Sequence, residues 1–172
     1  GHVLEHAYNN GDDGIVKFTI RKIDALDVWS DYWDILEPFL LRCAINFPHA
    51  IDYVARVIAV RLRRGEDVDI NQWKETLTDL ITSHGRFGND SEVCWALWLL
   101  REMKQGIASN ACEAVWTRCG PLPIMLLFDC ADNNLLSSKP NTDHLLQRLG
   151  KAPLSDRLWI VAYEAAYRDW LV

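Results

Sequence analysis

The run Val93–Leu100, Val-Cys-Trp-Ala-Leu-Trp-Leu-Leu, constrains the fold of this chain more than any other segment. It follows Asn89-Asp90-Ser91-Glu92, where a capping residue stands three positions before a glutamate, the reciprocal capping box that opens a helix. A helix apolar around its whole circumference has no face to give to water and must lie between neighbours on both sides. The run is therefore predicted to form the centre of the domain, in a helix continuing until Gly106.

Helical periodicity extends through the chain from about Asp27. A first helix is predicted from Ser30 to Asn46, stopped by Pro48, whose ring suits the first turn of the next helix. A second, from Pro48 to Arg64, carries Ile51, Val54, Ala55, Ile58 and Leu62 on one face and ends at Gly65. A third runs from Asn71 to Gly85 with Trp73, Leu77, Leu80 and Ile81 on one side. Beyond the central helix, Ser109 is placed to cap a fifth reaching Cys119, and Pro121 or Pro123 to start a sixth. A loop over 133–141 precedes a seventh, Thr142 to Leu149, and an eighth starts near Ser155.

The expected fold class is therefore all-α, made of stacked antiparallel helix pairs. Pairs recurring every 35–40 residues or so suit a HEAT-like irregular repeat, and an irregular helical bundle predicts the same helices. The expected domain is 27–172. Residues 1–26 read as a linker or the tail of a preceding domain, with a turn cluster at Asn9–Gly14 and a short strand at Ile15–Ile20. An opening Gly1-His2-Val3 without an initiator Met fits a cloning scar or an excised fragment.

Composition narrows the function classes. A formal charge of −6 opposes strong, non-specific attachment to nucleic acid or to an anionic membrane, although a local basic patch remains compatible with it. No apolar run approaches the ~20 residues needed to span a bilayer. The five cysteines, Cys43, Cys94, Cys112, Cys119 and Cys130, are odd in number and sit mostly within apolar helical patterns, as reduced core thiols do, so a cytoplasmic setting is expected.

Chemistry-bearing motifs are sparse. No C-x-x-C occurs, and the nearest cysteines, Cys112 and Cys119, are seven apart, so no metal is expected. Neither phosphate-binding nor dinucleotide-binding glycine loops occur, nor G-x-S-x-G or H-E-x-x-H, so no cofactor and no catalytic residue is assigned. What remains is a surface. Arg56, Arg61, Arg63 and Arg64 concentrate positive charge toward one helix end and, with Arg42 or Lys74, are candidates for a phosphate-binding edge; cations in a last helical turn equally serve the helix dipole. Trp29, Tyr32, Trp33 and Trp73 form either a stacking platform for unpaired bases or a core stripe.

Three resemblances accompany these residues. Ser83-His84-Gly85, the acidic turn Asp90-Ser91-Glu92 and the Trp95-Ala96-Leu97-Trp98 helix resemble the helical C-terminal region of bacterial reverse transcriptases of antiphage and abortive-infection systems, specifically over 83–100 and only in helical order elsewhere. That resemblance implies a non-catalytic accessory domain that contacts template or product and helps assemble the complex. Its implied partners are the polymerase domain of the parent protein, or another subunit, and single-stranded nucleic acid, with no membrane. A free-standing helical-repeat adaptor for proteins is the alternative. Arg42 and His49 match the R-x6-H spacing of the helical HEPN ribonucleases, with Pro48 falling between them, and this resemblance implies a general base and a phosphate-binding cation. Phe128-Asp129-Cys130-Ala131-Asp132-Asn133 resembles the paired-aspartate signature of polymerases, where two carboxylates bind magnesium, with Asn133 departing from that pattern.

Overall fold

A computed structural model describes residues 2–10, 13–26, 30–83, 90–137, 139, 141, 143–151, 158–168 and 170. Its elements in order are α1 (His2–Asn9), α2 (Asp13–Leu26), a 3-10 turn at Ser30–Tyr32, α3 (Trp33–Asn46), a second 3-10 turn at Pro48–Ala50, and α4 (Ile51–Arg63). There follow α5 (Ile70–Thr82), α6 (Asp90–Glu102), α7 (Ser109–Arg118), α8 (Pro121–Asp132), α9 (Asp143–Leu149) and α10 (Leu158–Tyr167). Extended backbone pairing among the described residues is limited to an isolated bridge between Ile107 and Leu136.

The fold is all-α, and its contacts follow a simple rule. Even-numbered helices touch in the series α2, α4, α6, α8, α10, and odd-numbered helices in the series α3, α5, α7, α9. The pairs α3/α4, α5/α6, α7/α8 and α9/α10 join the two layers. This is the connectivity of stacked helix pairs, in which each hairpin buries its apolar faces against the hairpins on either side.

The sequence explains most helix boundaries. Asp69 caps α5 by accepting the Gln72 N–H at 3.1 Å, which satisfies one of the orphan donors of a first turn. α4 ends in a Schellman arrangement: Gly65 takes φ +71°, its N–H reaches the Leu62 carbonyl, and the Glu66 N–H reaches that of Arg61. α6 closes in the same way, but before Gly106. Lys104, at φ 55°, occupies the left-handed position, and the Gln105 N–H reaches the Leu100 carbonyl at 2.9 Å. Ser109 lies inside the first turn of α7 rather than capping it, Ala108 being the cap residue. Residues 84–89 and 152–157 lie outside the described residues, and with them the capping box at Asn89 and the predicted helix start near Ser155.

The strand expected at Ile15–Ile20 is instead part of α2. Val16 and Ile20, four apart, share one helical face and are fully buried, whereas Ile15 and Phe18 are exposed. A strand would have set Val16 and Ile20 on the same side as Phe18, so helical packing against α4 and the Pro48–Ala50 turn overrides the β-branched local preference. The hydrophobic core thus continues from α2 through to α10.

Arginines tie successive helices of the odd layer together. Arg118 of α7 donates to the carbonyl of Thr82, the last residue of α5, at 3.0 Å. Arg148 of α9 donates to the carbonyls of Trp116 and Cys119, at the end of α7, at 2.9 and 2.7 Å. In both cases a guanidinium from one hairpin satisfies carbonyls that the preceding helix leaves open at its C-terminus, where the helix dipole also favours a cation.

Candidate functional site

Three consecutive helices of the even layer frame an open groove of about 640 Å³. From α4 come Arg56, Ala59, Val60 and Arg63, spaced i, i+3, i+4 and i+7 along one face; α6 adds Cys94, Trp95 and Trp98, and α8 adds Leu126. Opposite this stripe, α4 buries Ile51, Val54, Ala55 and Ile58, so the helix is apolar toward the core and mixed cationic and apolar toward the groove.

Trp95 and Trp98 meet edge to face, with ring centroids 5.4 Å apart and an interplanar angle of 82°. The Arg56 guanidinium lies 5.0 Å from the centre of the Trp95 ring and 5.8 Å from that of Tyr53, a cation–π arrangement that orients an exposed cation along the groove. Arg63 has 63% of its side chain exposed and lies 3.3 Å from the Glu102 carboxylate, itself 22% exposed. An ion pair so open to water is worth only ~0–1 kcal/mol, so Arg63 is readily transferred to a competing anion. Cys94 contributes no nucleophile, because burial pushes its thiol up to about 11.

The central helix is therefore not enclosed all round. Val93, Ala96, Leu97, Leu99 and Leu100 are buried among α4, α5 and α8, but Cys94, Trp95 and Trp98 are only half-buried and form the groove wall. Hydrophobicity alone made these tryptophans indistinguishable from core residues. The available signal was the second stripe on α4, Arg56, Ala59, Val60 and Arg63, whose mixed cationic and apolar character marks a face partly open to solvent.

The arginine cluster divides. Arg56 and Arg63 line the groove, and Arg64, exposed, follows at the end of α4. Arg61 is 9% exposed and belongs to the fold: its Nε donates to the Asp67 carbonyl at 2.9 Å, its Nη1 pairs with Glu66, and its guanidinium stacks 4.0 Å from the centre of the Trp33 ring. Lys74 is half-buried on α5, in the other layer. Arg42 pairs with Glu5 at 2.5 Å, on α1.

The aromatic platform considered from the sequence does not assemble. Trp73 is fully buried, its indole N–H donating to Glu37 Oε1 at 2.9 Å, and Trp33 is buried beneath Arg61; Tyr32 is exposed, and Trp29 lies outside the described residues. Trp73 and Trp33 are core residues because each packs at the junction of α3 with its neighbours, where an indole fills more space than an aliphatic side chain.

Other chemistry-bearing residues have structural partners. His49 Nδ1 contacts the buried Glu92 carboxylate, linking the Pro48–Ala50 turn to the start of α6, while Asp90 accepts the Gly120 N–H at 2.9 Å with an oxygen that a Cβ at that glycine would displace. Arg42 and His49 thus engage different elements. Asp129 pairs with Arg101 at 2.6 Å and Asp132 with Arg168 at 2.7 Å, both carboxylates projecting from α8. Among the described residues, no three His, Cys, Asp or Glu are grouped to hold a metal ion, and no helix is long and apolar enough to cross a membrane.

Fold and groove together define an all-α protein of stacked helix pairs with a tryptophan- and arginine-lined groove on one layer. No protein family, no curated protein and no solved structure matches the chain.

Proposed function

We propose that this chain is a non-catalytic recognition module, similar to the helical accessory region of bacterial defence reverse transcriptases, and that it contacts single-stranded nucleic acid through the α4–α6 groove. The observation that carries this reading is the pairing of two exposed cations, Arg56 and Arg63, with two half-buried indoles, Trp95 and Trp98, in one groove. Guanidinium groups bind phosphate, and aromatic rings stack on unpaired bases irrespective of sequence. The Trp95-Ala96-Leu97-Trp98 segment behind the family resemblance also supplies the groove wall, so one stretch of chain supports both. In that reading the polymerase domain is the natural protein partner, and the setting is the bacterial cytoplasm.

A protein-binding adaptor is the second reading, favoured by the exposed Ile160, Tyr163 and Tyr167 of α10 together with the net charge of −6. Salt dependence separates the two. Labelled single-stranded DNA and RNA are titrated at low and moderate salt with the native protein and with an Arg56→Glu, Arg63→Glu double variant. Phosphate recognition predicts binding that weakens steeply with salt, and a salt slope that becomes shallower by about 1 for each phosphate-binding arginine replaced. No binding at low salt would sink the nucleic-acid reading and turn the search to the polymerase domain.

A further inference from the structure

Resting on that reading, we infer that the groove accepts an unpaired, splayed-out base, so that recognition depends on stacking as well as on phosphate charge and discriminates single strands from duplex. The walls carry two unlike kinds of group. Trp95, Trp98, Val60 and Leu126 provide aromatic and aliphatic surface, whereas Arg56 and Arg63 stand on the same face of α4, seven residues apart, which sets them about 10 Å apart along the helix axis. A phosphate track alone requires only the cations. Half-buried indoles lining the same open groove add an apolar subsite that a backbone does not use.

The groove volume of about 640 Å³ lies within the roughly 300–1,000 Å³ of small-molecule sites, so an open groove of this size has room for a base. A base in a duplex has both faces covered by its neighbours and cannot present them to Trp98. A flipped or single-stranded base can, with its flanking phosphates reaching toward Arg56 and Arg63. Arg63 then exchanges its exposed contact with Glu102 for a phosphate, so Glu102 acts as an internal competitor for the same cation.

The test uses the native protein with three fluorescein-labelled probes of equal length, about 12 nucleotides: oligothymidylate, the same backbone with abasic sites, and a duplex. Base insertion predicts that the abasic strand and the duplex bind about 5- to 150-fold more weakly than oligothymidylate. Trp98→Leu, which keeps apolar bulk in the groove wall, should abolish that difference, and Glu102→Gln should tighten all three probes. Equal binding of the thymidine and abasic strands overturns base insertion while leaving phosphate recognition standing. A base preference that survives both Trp98→Leu and Trp95→Leu overturns its assignment to this groove. Absence of binding by every probe overturns both this inference and the nucleic-acid reading on which it rests.

Discussion

The Arg61 guanidinium lies 4.0 Å from the centre of the Trp33 ring, while Nε and Nη1 hold the Asp67 carbonyl and the Glu66 carboxylate. One side chain thereby fixes the α4–α5 connection onto the start of α3. Arg61→Ala is expected to cost about 2–3 kcal/mol in urea denaturation, because it removes the stack on Trp33 and the donor to the part-buried Asp67 carbonyl. Arg61→Lys should recover little, since an ammonium reproduces neither the planar stack nor the fork. Arg56→Glu and Arg63→Glu, both exposed, should each stay within about 1 kcal/mol of the native protein. Equal destabilisation by all three would refute the division of this cluster into fold and groove residues.

Arg148 supplies donors to two carbonyls at the end of α7. Replacing it with Leu, which can fill space but cannot donate, should destabilise the chain by about 2–3 kcal/mol. Because the contact joins neighbouring hairpins, native-state hydrogen exchange should report faster opening in α9 and at the end of α7, with α3 and α4 little changed. Uniform loss of protection across all helices would contradict a hairpin-by-hairpin architecture.

Lys104 adopts φ 55° at the position where a glycine would cost nothing. Lys104→Gly should therefore raise stability by about 0.5–1 kcal/mol, a net gain after the entropy that glycine adds to the unfolded chain. Thermal denaturation checks the sign. A loss of stability would mean that the lysine side chain contributes more than its backbone conformation costs.

Arg168 connects α10 to α8 through Asp132, and its guanidinium lies 4.9 Å from the centre of the Phe128 ring. Its hydrogen bond holds the Asp132 carboxyl below the ordinary aspartate range. A carboxyl lowered in the folded state contributes stability above its unfolded value, and that contribution is lost as pH falls through the folded value. The destabilisation caused by Asp132→Asn should thus be present at pH 7 and shrink in acid. A difference independent of pH would show that the ion pair is not its source.

Much of the fold was legible in the sequence because helix signals are local. Pro48, Gly65, Pro121 and the apolar stripe Ile51, Val54, Ala55, Ile58 act through backbone geometry and a periodicity of 3.6 residues, so α3 to α8 fall close to their expected places. Where a local signal was ambiguous, it misled: Val16 and Ile20 suit either a strand or one helix face, and only packing against α4 decides between them. The groove lies at the opposite extreme. Sequence alone identified the candidate cations Arg56, Arg61, Arg63 and Arg64 without separating them, because burial depends on what packs against α4. It identified Trp33 and Trp95 as equally apolar without showing which meets water. Stacking α4 against α6 left Arg56 and Arg63 at a groove edge, and packing it against α3 placed Arg61 over Trp33. Residue chemistry is carried along the chain, whereas solvent access is a property of neighbours distant in sequence.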